Sequence, residues 1–211
     1  MRILVLVLAC VCVAPAVRAQ EQSTPILGDA PFPTQDTAPP VEPQSAPTVP
    51  GDQQMFDQGA AYYDRRDYPH AYQVFSYLAE HDDIAAMRNV ALMKRKGQGT
   101  TVDPKGAMEY LKEAADAGLP TAQADLAEML LNGEAGPPDP DSAIQWLESA
   151  AKANHPVAQF RLAEIYERGK VVPRDVAKAE ELYAAAAARG VPQAATRLEL
   201  LKSGAVSPPR P

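Results

Sequence analysis

Residues 51–202 repeat themselves with a fixed spacing of 36 residues. Six kinds of position stay in step along this spacing. They are Ala86, Ala122, Ala158 and Ala194; Gly97, Gly133 and Gly169; Asp103, Asp139 and Asp175; Ala107, Ala143 and Ala179; Ala114, Ala150 and Ala186; and Pro120, Pro156 and Pro192. A repeat of this length is typical of a solenoid, in which each unit packs mainly on its neighbours.

Each repeat unit carries the pattern of two helices. In the second unit, apolar residues recur at helical spacing from Ala122 to Leu130, and Gly133 then allows the left-handed conformation that ends a helix. Asp139 caps the second helix, which buries a face running from Ala143 to Ala151. Small alanines on both helices let neighbouring helices approach closely.

The two ends of the repeat region depart from the 36-residue pattern. Residues Met55 to Leu78 form a related unit with a shorter turn around Arg66, which covers one end of the stack. A last helix from Pro192 to Lys202 covers the other end. The sequence therefore predicts an all-α fold, a right-handed α-solenoid of nine helices.

The motifs of the repeat resemble those of the Sel-one-like repeat family, a relative of the tetratricopeptide repeat, over residues 53–202. The resemblance is clearest at Ala158-Gln-Phe-Arg-Leu162, Tyr166-Glu-Arg-Gly169 and Asp175-Val-Ala-Lys-Ala179. Lys94 departs from it, because the family usually has an aromatic residue there, and this indicates a looser contact or an altered surface. The resemblance implies an adaptor or scaffold that holds a protein or peptide partner in a concave groove.

The residues before the repeats predict export. Residues 1–19 have a basic Arg2, an apolar run from Ile3 to Val13 and small residues at Val17 and Ala19, which is the pattern of a secretory signal peptide cleaved after Ala19. Residues 20–50 contain eight prolines and no Lys or Arg, which predicts an extended, disordered linker. Residues 203–211 form a similar tail. We expect a periplasmic or secreted protein with no transmembrane segment after cleavage.

Removal of the leader also sets the chemistry of the mature chain. Both cysteines, Cys10 and Cys12, would be lost, which excludes disulfides and thiol catalysis. Arg2 and Arg18 would be lost as well, so the formal net charge of −7 for the whole chain becomes more negative. An acidic chain of this kind disfavours nucleic acid as a partner.

A groove lined by the first helices is the candidate binding site. If the groove-facing positions follow the tetratricopeptide pattern, they are Phe56, Tyr63, Arg88, Leu92, Arg95, Lys96, Glu128, Leu131, Asn132, Phe160, Glu164 and Glu167. One end of the groove would then be basic and the other acidic. The alternative is that these charges form an ordinary solvated helix face. For Phe160, which stands where the family has an aromatic residue, the alternative is packing in the core.

The other candidate sites in the sequence are weak. Ser149-Ala-Ala-Lys152 matches the S-x-x-K motif of penicillin-recognising enzymes, but the companion S-D-N and K-T-G motifs are missing. His70, His81 and His155 are far apart and lack metal-ligand spacing. We therefore expect no catalytic, metal or cofactor site.

Three functions remain open from the sequence. The first is an exported, non-enzymatic scaffold that binds a protein or peptide. The second, which the family resemblance implies, is a periplasmic regulator of a sensor protein or a factor for envelope or polysaccharide assembly. The third is a β-lactam-recognising enzyme. The sequence does not identify the partner or the oligomeric state.

Overall fold

A computed structural model describes residues 50–204, and within them it places nine α-helices. The helices are α1 (Pro50–Asp64), α2 (Tyr68–Ala79), α3 (Ile84–Lys96), α4 (Pro104–Asp116), α5 (Pro120–Asn132), α6 (Pro140–Lys152), α7 (Pro156–Arg168), α8 (Val176–Ala188) and α9 (Pro192–Lys202). The predicted leader, the linker before residue 50 and the tail beyond residue 204 lie outside the described residues. Among residues 50–204, no helix has both the length and the apolar content that crossing a bilayer requires.

The helices pack in the order of the chain, each on the helices before and after it. This is the all-α solenoid that the repeat predicted. The alanines in step along the repeat are responsible for the close packing, because Ala86, Ala122, Ala158, Ala114 and Ala150 are all 0% exposed. A methyl side chain lets two packed helix backbones come closer together than a larger side chain would.

The helix ends form as the repeated aspartates and glycines predicted. The side chains of Asp103, Asp139 and Asp175 each accept a hydrogen bond from the backbone N–H three residues later, at 3.0, 3.1 and 3.0 Å. Gly97 and the equivalent glycines end α3, α5 and α7 with φ between 62° and 68°, in the left-handed region. Asp and Gly at these positions therefore fix where each helix begins and ends.

A second set of interactions fixes the turn between repeats. Asn154 has a φ of 66° at the position where other repeats have glycine, and asparagine tolerates this conformation. Gln123 is buried at the start of α5 and donates to the carbonyl of Ala115 at 3.1 Å, and Gln159 does the same to Ala151 at 3.2 Å. Each glutamine ties the first helix of one repeat to the last turn of the helix before it.

The two ends of the described stack differ from its middle. At the first end, Phe56 of α1 packs edge-on against Phe75 of α2, with ring centroids 5.3 Å apart. At the other end, Glu199 of α9 is exposed at the position where Ala91, Ala127 and Ala163 are buried. A charged residue there gives the outer face of α9 a polar surface.

Candidate partner-binding surface

The candidate site is the face formed by α1, α3, α5, α7 and α9, the first helices of successive units, which we name the first-helix surface. Two of its predicted residues do not belong to it. Phe56 and Phe160 are 3% and 2% exposed, because they pack against Phe75 and Tyr183. The prediction that these two rings line a binding groove is therefore wrong, since their repeat positions serve the core.

Arg88 forms a link from α3 to α5. Its Nε lies 2.6 Å from Oδ2 of Asp125, and the two side chains are both largely shielded from water. The residues are 37 positions apart in the sequence, one repeat and one residue. Arg88 therefore bridges two neighbouring first helices, and its charge is already neutralised within the chain.

Arg95 forms a second link about two helical turns further along α3. It donates two hydrogen bonds to Glu134, at 2.8 and 2.6 Å, in the paired geometry that Arg and a carboxylate favour. Glu128 lies 3.8 Å away on α5, and Asn132 donates to Glu134 at 3.2 Å. Burial lowers the pKa of Arg95, but Glu134 outweighs this and the pKa is raised from its ordinary value.

The acidic residues at the other end of the surface are also paired. Glu164 lies 3.2 Å from both Arg161 and Arg168 on its own helix. Arg197 of α9 lies 3.2 Å from Glu167. Glu164 and Glu167 are themselves buried, at 9% and 4% exposed, so these two glutamates, like the two rings, do not line an accessible groove as predicted.

Tyr183 completes the environment of Glu167. Its hydroxyl donates a hydrogen bond to Glu167 at 2.6 Å. Burial, and then the hydrogen bond to Glu167, raise the pKa of Tyr183 far above its ordinary value. This tyrosine is therefore a fixed, neutral donor that helps to hold a buried carboxylate.

These pairs change the predicted electrostatics of the surface. The basic residues Arg88 and Arg95 are matched by acids from the next repeat, and Glu164 and Glu167 are matched by arginines. The predicted separation into a basic end and an acidic end is therefore wrong. The charges instead form a series of ion pairs, several of which connect successive repeats.

The remaining predicted residues are at least partly accessible. They are Tyr63, Leu92, Lys96, Glu128, Leu131 and Asn132. Tyr63 donates a hydrogen bond to Gln98 at 3.0 Å, which connects α1 to the loop after α3. The accessible part of the surface is thus mixed, with leucines and a tyrosine beside polar groups, which is the composition of many protein interfaces.

The sequence missed the partners in these pairs, namely Asp125, Glu134 and Arg197. For Asp125 and Glu134 the available signal was opposite charge at one repeat plus one or three residues, since Arg88 and Asp125 are 37 apart and Arg95 and Glu134 are 39 apart. Glu167 and Arg197 do not share this spacing, so it could not have found Arg197. Periodicity alone aligns equivalent residues. It does not show that a side chain reaches a position slightly beyond its equivalent.

Lys94, which departs from the family pattern, forms an ion pair with Asp103, the residue that caps α4. The Nζ of Lys94 lies 2.9 Å from Oδ2 of Asp103. This Nζ is also next to Gly106, since a Cβ added to Gly106 would lie 3.0 Å from it. In the third repeat the arrangement is reversed, with Tyr166 on the first helix and Lys178 on the second. The ion pair with Asp103 argues against the looser contact expected at this position and leaves the altered surface as the remaining expectation.

The residues of the weak candidate sites lie on helices or at the ends of helices. Ser149 and Lys152 lie on the last two turns of α6. His70 contacts Asp67, His81 contacts the carbonyl of Tyr77, and His155 accepts from the N–H of Ala158 at the start of α7. Within residues 50–204, no three metal-ligating side chains come together as an ion would require.

Comparison with known proteins identifies the repeat. The Sel1 repeat model matches residues 84–119, 120–155 and 156–191, three consecutive segments that make up half of the chain. No curated protein sequence matches the chain.

Several solved structures share the fold. A Sel1 repeat protein from Oxalobacter formigenes is 30% identical, with a TM-score of 0.68 over 72% of this chain and 62% of its own. The protective antigen c5321 of uropathogenic Escherichia coli, with an SLR fold, is 24% identical, with a TM-score of 0.68 over 74% of this chain and 34% of its own. The immunity protein Pa5087 of Pseudomonas aeruginosa is 21% identical, with a TM-score of 0.55 over 74% and 60%.

These similarities do not all support the same conclusion. The chain spans between 34% and 62% of the length of these three proteins, and the two with the lower identities show the fold alone. The family match rests instead on three complete repeats whose caps, turns and buried alanines are present in the structure. This chain belongs to the Sel1 repeat family.

Proposed function

We propose that the chain is an exported, non-catalytic scaffold that binds a protein or peptide partner on its first-helix surface. Sel1 repeat proteins are generally scaffolds for protein interaction, and typically non-catalytic. The leader pattern of residues 1–19 supports export. The arrangement of α3 and α5 supports the first-helix surface as the place where the partner binds.

The observation that supports this surface is a fixed frame with accessible residues around it. The pair Arg88–Asp125 joins α3 to α5, and the pair Arg95–Glu134 joins α3 to the loop that follows α5. Leu92, Lys96, Glu128, Leu131 and Asn132 lie on the same two helices and remain partly accessible. Side chains presented by a rigid frame lose little entropy when a partner binds, which favours affinity.

The frame also limits what kind of partner fits. Because the arginines are already paired, a partner that relied on one large charge would have to displace an internal ion pair. A partner segment with apolar side chains for Leu92 and Leu131 and hydrogen-bonding groups for Glu128 and Asn132 would not. We therefore expect apolar contacts to contribute most of the affinity, and the order of the charges in the ion pairs to contribute to specificity and on the order of tenfold to the dissociation constant.

Site-specific photo-crosslinking in the cell that makes the protein tests this proposal. A photoreactive residue in place of Asn132 lies on the first-helix surface, and one in place of Glu109 lies on the exposed face of α4 as a matched control. We expect a crosslinked protein from position 132 and little from position 109. Equal crosslinking from both positions, or crosslinking from position 109 alone, would exclude the first-helix surface as the binding site.

A further inference from the structure

A second surface of the molecule carries exposed apolar residues that the proposed function does not use. It consists of the three loops that join the two helices of each repeat, residues 97–103, 133–139 and 169–175, and we name it the loop edge. Val102 is 63% exposed and Val171 is 43% exposed, and Pro137, Pro138 and Pro173 are exposed as well. Apolar residues of this size grouped on one edge are typical of an interaction site.

The second loop of this edge borders an open hollow of 410 Å³ that residues of α4 and α5 also line. Apolar side chains dominate its lining: Met108, Met129, Leu130, Ala135, Pro137 and Pro138. The volume is enough for the side chain of a valine or leucine together with part of its backbone. Methionines adapt their shape to an incoming apolar group, which suits them to such a hollow.

The third loop has the features that would fill such a hollow. Val171 projects from it as an exposed apolar side chain, between the exposed residues Lys170 and Arg174. The loop is held in place, because Arg174 donates through its Nε to the carbonyl of Glu167 at 3.0 Å. The third loop is thus an apolar projection flanked by positive charge.

The charges of the second and third loops are opposite in sign. Beside the hollow, Asp139 and Asp141 lie at the start of α6, and Asp141 is exposed. The third loop presents Lys170 and Arg174, whose two positive charges outnumber its one acid, the helix cap Asp175. An external partner would need both an acidic and a basic part in matching order, whereas a second copy of this chain supplies both without further requirement.

We infer that the loop edge is a self-association surface, on which two copies meet around a two-fold axis between the second and third loops. Val171 of each copy enters the Met108-lined hollow of the other. Lys170 and Arg174 of each copy face Asp139 and Asp141 of the other. A two-fold arrangement satisfies both contacts at once and is closed, so it yields a dimer and not a filament.

Analytical ultracentrifugation of the protein purified after expression of the whole chain tests this inference through a charge exchange. One variant, Lys170→Glu with Arg174→Glu, makes the third loop acidic. The other, Asp141→Lys, reverses the exposed acid beside the hollow and leaves the lining of the hollow unchanged. Each variant alone places like charges opposite each other twice in the dimer.

We expect the parent to sediment as a dimer and each variant as a monomer, with a dissociation constant raised on the order of tenfold or more. An equal mixture of the two variants should restore dimers that contain one copy of each. The control variant Lys105→Glu with Lys112→Glu, on the exposed face of α4, changes the charge as much as the third-loop variant does. It should remain a dimer. A monomeric parent, dimeric variants or a mixture that stays monomeric would each overturn the inference.

Discussion

Single aspartates decide where the second helix of each repeat starts, and their protonation should be measurable. Hydrogen bonding from the N–H of Gly106, and then from Lys94, lowers the pKa of Asp103 from its ordinary value of 3.8. The side chain and backbone N–H of Ser142 lower the pKa of Asp139 in the same way. Both carboxylates are therefore stabilised in the charged form by the folded chain.

This shift has a defined sign. A carboxylate whose pKa is lower in the folded state contributes stability above its unfolded-state pKa and loses that contribution as the pH falls through the folded-state pKa. We expect the free energy of unfolding to fall below about pH 4, and to fall less steeply in Asp103→Asn with Asp139→Asn, which keeps a capping acceptor. Urea unfolding at several pH values measures this. Parallel curves for parent and variant would show that these two caps do not titrate with folding.

Lys94 and Gly106 offer a second prediction for individual residues. A methyl group at Gly106 would collide with Asp103 and crowd Lys94, although alanine usually stabilises a helix interior relative to glycine by roughly 0.5–1 kcal/mol. We expect Gly106→Ala to be destabilising in the parent and stabilising in a Lys94→Leu background, because Lys94 then no longer holds Oδ2 of Asp103 beside Gly106. The second repeat has this combination, with Leu130 at the lysine position and Ser142, which carries a Cβ, at the glycine position. A double-mutant cycle by thermal unfolding measures the coupling. Additive effects would mean that the two positions are independent.

At the scale of the helix, the buried alanines are the main constraint. Ala150 on α6 is 0% exposed, so a leucine there has no space unless neighbouring helices move apart. We expect Ala150→Leu to cost about 1–3 kcal/mol in the free energy of unfolding. Ala188→Leu, at an exposed position of α8, is the matched control and should change stability little. Equal melting temperatures for the two variants would contradict close packing at Ala150.

The helices show what could be predicted from the sequence and what could not. Helix bounds, caps and buried alanines depend on local patterns, such as an Asp three residues before the N–H it caps, so the repeat predicted them. Phe160 and Arg95 could not be placed in this way. Whether a ring turns into the core, or a guanidinium reaches Glu134 in the next repeat, depends on how two helices pack, which 36-residue periodicity leaves open.

For the whole molecule, the ion pairs between repeats affect how a binding surface can be tested. Reversing Arg88 or Arg95 alone would place a glutamate beside Asp125 or Glu134 and would weaken the stack itself. An exchange of both partners keeps the pair and the net charge while changing the charges that a partner meets. Arg95→Glu with Glu134→Arg is such an exchange.

The central claim, that a partner binds the first-helix surface, is tested most directly by measuring the affinity of the captured partner for this exchanged variant. The control is Lys112→Glu with Asp116→Lys, which exchanges two exposed charges on α4. We expect the Arg95–Glu134 exchange to raise the dissociation constant on the order of tenfold, and the α4 exchange to leave it unchanged. If both variants bind the partner as tightly as the parent while remaining folded, the first-helix surface is not the binding site.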